Sequence, residues 1–384
     1  MKRVTACMLL LLSLHCGRSQ HITTEQDSLL RWIAAQQVVD DPFYDEGLFR
    51  SQRINKDERY EDNTLFYSAL IANTLLEISV NLPEESGHVI HSIHERVRSN
   101  AANYRSRRGR ATYNFWQTNP DIPHPNGPVK YQQDKYRLPD DVDDTSTIGL
   151  LIQDQDELAE IRKEMVRYTS ERKKRVRTTL RPFKKSAAYG VWYADRWKQE
   201  FDLCVTANAL KFVFANHFPL NAYDSASIRL VQDMVRADLH KEKPFIVSPF
   251  YSRTSIILYH LVSLMTYDRE GIFDAMSVKM ADDIRMELSR VTSEWERMIL
   301  LSSLAKLGEP SEGSIDLQKL KGESSQFYWY AANFMSAVGS GIGMRRLFKT
   351  SSVFPSLYWN CEAYNWTLYL EYLTLDQTLI SPAK

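Results

Sequence analysis

Residues 65–80, LFYSALIANTLLEISV, carry the clearest structural signal in the chain. Leu65, Ala69, Ala72, Leu76 and Val80 recur at about 3.6 residues, the period that puts one apolar stripe along an α-helix. The stretch also contains Asn73 and Glu77, so it reads as a packed helix of a folded protein rather than a bilayer span.

Working outward, similar helical periods recur over Ser28 to Val38, Val89 to Val97, Thr147 to Thr178 and Leu203 to Ala215. They continue over Ser225 to Leu239, Thr254 to Thr266, Phe273 to Ser289, Val291 to Leu307, Phe327 to Val338 and Leu357 to Leu375. Short breaks such as Asp268 to Gly271 separate them, and strand alternation is scarce. The expectation is an all-α chain built as an α/α toroid, a ring of helical hairpins. A single domain is expected over residues 20–384.

Residues 1–19 read as a signal peptide: Lys2 and Arg3 precede an apolar run from Val4 to Leu14, with small residues at Gly17 and Ser19. The mature protein is therefore expected to be secreted or periplasmic. Lipid anchoring at Cys16 stays open beside simple cleavage. Cys204 and Cys361 then remain, as a disulfide or as buried thiols.

Lys plus Arg and Asp plus Glu each number 48, and this zero net charge gives no footprint for a nucleic-acid partner. Residues Arg162 to Lys185 form a basic run that could meet a membrane surface, although such a run is more often a solvated helix face. No metal-ligand spacing or nucleotide fingerprint stands out, so no cofactor is expected.

Residues 103–140 lack helical period and contain Pro120, Pro123, Pro125, Pro128 and Pro139 among many aromatics. So long an irregular stretch within a domain is usually functional or disordered, and its aromatic content suits a packed lid. It ends at Asp140-Asp141-Val142-Asp143-Asp144-Thr145. Three readings of this acidic cluster are available. Helix capping needs one or two of the four carboxylates. A calcium loop of EF-hand type fails, because its sixth and twelfth positions from Asp141 hold Ser146 and Ile152; another oxygen-ligated cation stays open. Crowded carboxylates in a dry pocket could instead hold a proton and act as a Brønsted acid, with aromatic faces to stabilise a carbocation.

Asp141 to Ser146 resembles the DxDD-T motif of class II terpenoid cyclases, the group that includes squalene–hopene cyclases. The resemblance implies an α/α toroid in which Asp143 donates the initiating proton, with Asp141 and Asp144 as its neighbours. A thinner likeness covers Phe201 to Leu210, Pro249 to Ser252 and Trp359 to Ala363. Asn208, Tyr251 and Trp359, with Trp116 and Trp192, are the candidate substrate-binding residues. The implied ligand is a hydrophobic small molecule of isoprenoid type. A glycan-active enzyme with paired carboxylates in an open groove, or a non-catalytic lipid-binding or interaction module, are the alternatives.

Overall fold

The computed structural model describes residues 23–55, 58–122, 126, 137–170, 176–194, 197, 199–310, 313–332 and 357–380. The expected signal peptide and Cys16 lie outside the described residues. Among the described residues, no helix is long and apolar enough to cross a membrane.

Six helices pack in a closed order: α2 (Leu65–Ser79), α4 (Val142–Gly149), α6 (Leu203–Ala215), α10 (Thr254–Met265), α12 (Glu294–Lys306), α14 (Glu362–Ile380), and back to α2. Both α2 and α10 are apolar nearly all round, as expected for helices covered on every side. Around them pack α1 (Thr24–Ala35), α3 (Glu84–Ser99), α5 (Gln155–Ser170), α7 (Ala222–Arg236), α11 (Asp274–Leu288) and α13 (Leu317–Glu323). Two short helices, α8 (Leu239–Glu242) and α9 (Pro244–Val247), lead into α10.

Side-chain bonds show that the inner helices α2, α6, α10 and α12 run in one direction. Near their C-terminal ends, Lys211 of α6 meets Glu77 of α2 at 2.5 Å and Ser263 of α10 at 3.0 Å. Near their N-terminal ends, Arg253, just before α10, meets Glu296 of α12 at 2.8 Å. Their positive dipole ends therefore converge at one end of the molecule, a favourable place for carboxylates.

That same end carries a four-stranded antiparallel sheet in the order β2-β1-β4-β3, formed by β1 (Ser51–Asn55), β2 (Glu58–Asp62), β3 (Tyr330–Ala332) and β4 (Leu357–Asn360). The sheet overturns the all-α expectation: the fold is mixed, α and β, and an α/α toroid is not shown. Two of the expected helices are also corrected, because residues 330–332 and 357–360 are strands. The expected helix from Thr147 to Thr178 is two helices, α4 and α5, broken by a turn after Leu150.

Strand pairing places Tyr60, Arg53, Trp359 and Tyr330 in one cross-strand row. Trp359 and Tyr330 stack with ring centroids 5.4 Å apart, and the Arg53 guanidinium lies over Tyr60. Asp62, fully buried, binds this row from behind. It accepts the indole N–H of Trp116 at 2.9 Å, that of Trp359 at 3.1 Å and the Arg53 guanidinium at 3.1 Å.

Gly149 sets the close approach of α4 to α6. A Cβ there would lie 2.7 Å from the Phe212 ring. Gly149→Ala is therefore expected to cost about 1–3 kcal/mol by overpacking, measurable as a lowered urea midpoint.

Candidate active site

The four aspartates divide their work. Asp140 is tied to the preceding loop by Thr112 Oγ1 at 2.7 Å and Asn114 Nδ2 at 3.2 Å. Asp141 is the N-cap of α4, and its Oδ1 accepts the Asp144 backbone N–H at 2.8 Å. Its own backbone is held between Tyr113 and Trp192, so the described part of the aromatic loop braces the motif. Asp143 and Asp144 are left over from capping.

Asp143 projects toward α6 and the loop before α10. Its Oδ1 accepts Asn208 Nδ2 at 2.7 Å, and its Oδ2 accepts the Tyr251 hydroxyl at 2.5 Å. Asp141 and Asp144 are buried, whereas Asp143 keeps partial exposure. Its carboxyl is thus held among α4, α6 and the loop before α10 while retaining some exposure. Asp144 Oδ1 and the Tyr330 hydroxyl are buried without hydrogen-bond partners.

Burial raises the carboxyl pKa values of Asp141, Asp143 and Asp144, because a charged form loses hydration there. Asp143 is pushed up to about 6, with the Asn208 and Tyr251 bonds opposing the rise. Asp141 is pushed up to about 7 by burial, opposed by its hydrogen bond with Asp144 and reinforced by the charge of Asp143. Asp144 rises furthest, first from burial and then from the neighbouring Asp141 charge. Asp141 and Asp144 therefore titrate as a pair, and burial favours the form in which the pair keeps a proton. Sequence reasoning missed a fourth such group. Asp202, the N-cap of α6, is buried and pushed up to about 7. In sequence it looks like an ordinary cap before an apolar helix.

These shifts carry a stability consequence. An unfolded aspartate titrates near 3.9. Between that value and about 6–7, the folded state binds more protons than the unfolded chain. Stability contributed by the cluster therefore falls as pH rises through this window and is fully present below it. Asp143 alone accounts for roughly 3 kcal/mol. Guanidinium titrations of the parent and of Asp143→Asn should show the variant gaining on the parent at pH 8 but not at pH 4. Equal gains at both would contradict this account.

The aromatic candidates fall in different places. Tyr251 lies against Tyr330, with centroids 6.2 Å apart, and Tyr330 stacks on Trp359. Phe115, overlooked in the sequence, meets Trp359 edge-on at 5.6 Å. Trp116 sits behind it, pinned to Asp62. Trp192 stands apart from this group: its indole N–H goes to Glu200 at 2.9 Å, and its ring packs on Trp197 and Phe250. Thus Asn208 and Tyr251 reach Asp143, Trp359 belongs to the neighbouring aromatic wall, and Trp116 and Trp192 serve as supports. Tyr330 could not be found from sequence, since its segment carries a helical pattern.

Among the described residues, Asp238, His240 and Asp283 are a group close enough to share a metal ion, and the acidic motif supplies none. Lys279 already neutralises both carboxylates of that group, at 2.5 Å from Asp238 and 3.0 Å from Asp283. Cys204 and Cys361 are buried free thiols. At the start of the basic run, Arg162 pairs with Asp224, Lys163 with Glu160 and Arg167 with Glu164; residues 171–175 lie outside the described residues. No family model, curated protein or solved structure matches the chain. The likeness to terpenoid cyclases therefore rests on the acidic motif and the three thinner stretches alone.

Proposed function

We propose that this site is a Brønsted acid that protonates a carbon–carbon double bond of a hydrophobic, isoprenoid-type molecule. The carrying observation is the position of Asp143: deep, partly accessible, and bonded by two donors beside a wall of aromatic rings.

In the proposed step the Asp143 proton adds to one alkene carbon, using the π electron pair for the new C–H bond. The other alkene carbon becomes cationic, and Asp143 is left as carboxylate. A second double bond can attack this carbon and pass the charge onward; loss of a proton beside the final cationic carbon to solvent then forms a new double bond, Asp143 regains a proton from solvent, and the net change is isomerisation. Asn208 and Tyr251 bond more strongly to the carboxylate than to the acid, which strengthens Asp143 as a donor. The converging helix N-termini act in the same sense. Faces of Tyr251, Tyr330 and Trp359 offer negative quadrupole to the cation. With Asp143 at about 6, about one-tenth is protonated at pH 7, so turnover should rise as pH falls toward 5.

The glycan reading needs a second working carboxylate, and outside the acidic motif Asp202 is a candidate, since it shares its field with Asp143. Both of its oxygens are taken by internal donors, which leaves it unsuited to act as a nucleophile or base.

The test is to incubate the purified protein with squalene, and separately with geranylgeraniol, in D2O buffer. Mass spectrometry should show a product one deuterium heavier at the protonated carbon. Consumption without deuterium at carbon, or no consumption of any polyene across pH 5–8, would count against the proposal.

A further inference from the structure

Asp202 takes no part in the proton transfer, yet its carboxylate accepts four donors. Oδ1 accepts the N–H of Cys204 at 2.8 Å, the N–H of Val205 at 3.2 Å and the Ser248 hydroxyl at 2.6 Å. Oδ2 accepts the N–H of Phe250 at 2.9 Å. Capping α6 requires only the first two. The other two reach across to the loop 248–250 and fasten it to the helix start.

Each fastened element carries one of the donors on Asp143. Asn208 sits one helical turn beyond Cys204, and Tyr251 directly follows Phe250. The same loop is held from its other side, because the Phe250 carbonyl accepts the N–H of Ala331 at 2.8 Å, next to Tyr330. A hydrogen-bonded pair of donors stays aimed at a third group only if its supports are themselves fixed.

We propose that Asp202 is a positioning residue that clamps the start of α6 to the 248–250 loop, so that Asn208 and Tyr251 converge on the Asp143 carboxyl. Its functional meaning rests on Asp143 being the reacting acid, but the clamp can be tested without turnover. Titratable groups that share their fields with Asp143 are Asp141 and Asp144 on α4, Asp202 and Cys204 on α6, and Tyr251 on the loop.

The full-length protein, labelled with 13C at aspartate carboxyls, would be titrated by NMR, with the Asp143 signal assigned by its loss in Asp143→Asn. Tyr251→Phe removes a donor to the charged form, so it should raise the Asp143 midpoint, by about one pH unit or tenfold in proton affinity. Asp202→Ala should move the midpoint in the same direction. Combining it with Tyr251→Phe should give less than the sum, since both act in part through the Tyr251 hydrogen bond. If Asp202 matters only as a nearby group that ionises over the same range, its removal would lower the midpoint or leave it unmoved and would add independently to Tyr251→Phe; either result overturns the clamp. Ser248→Ala keeps the charge and should give a smaller rise. It carries the test if Asp202→Ala does not fold, and an unmoved midpoint there also overturns the proposal. Because no substrate is involved, failure of alkene protonation would leave a positive clamp result standing.

Discussion

Replacing Asp143 with asparagine is expected to lower alkene turnover by a factor on the order of 10³ or more, the upper range for removing a general acid. The amide is nearly isosteric and can still accept a hydrogen bond from Tyr251 or Asn208, so the pocket should keep its shape. What disappears is the transferable proton. Binding of a saturated analogue should change little, which separates lost chemistry from lost binding. The same measurement on Asp144→Asn decides a second point. Asp144 holds its proton more firmly than Asp143, but it is buried, whereas Asp143 is partly accessible. Accessibility should win, because a proton must reach the substrate carbon. Retained turnover in Asp143→Asn with loss in Asp144→Asn would move the donor to Asp144 and refute the assignment made here.

Asp62→Ala is expected to destabilise the protein by about 3–5 kcal/mol, because it removes one member of a buried charge pair. The Arg53 side chain is 5% exposed and Asp62 is fully buried. The change also strips the acceptor from the indole N–H groups of Trp116 and Trp359. Burial raises the Asp62 pKa even beside Arg53, so this aspartate is costly to keep and more costly to leave out alone. Asp62→Asn should cost less, since an amide oxygen can still accept one indole. Urea unfolding of both variants would check the order; equal, small losses would show that Asp62 does not hold the sheet to the aromatic wall.

Much of the helical framework was legible in the sequence. Leu203–Ala215 matches its expected bounds, and Leu65–Ser79 and Thr254–Met265 each end one residue earlier than expected. Their apolar periodicity is a local property, expressed within a few turns. The acidic motif was legible as a helix start for the same reason, because an N-cap and its helix are neighbours in sequence. The sheet was not. β1 and β2 are five residues each, β2 is mostly charged, and β3 has three residues. β1 pairs with β4 some 300 residues later, as in Arg53 with Trp359, and no local pattern encodes so distant a partner.

By itself, the sequence determined where most helices form, where one of them is capped, and that four carboxylates crowd one helix start. Only the tertiary structure decided that Asp143 faces inward, that Asn208 and Tyr251 meet on it, and that Asp202 and Tyr330 join the neighbourhood. The physical reason is range: helix periodicity and capping act over three or four residues, whereas burial, pKa and donor convergence depend on segments brought together by packing.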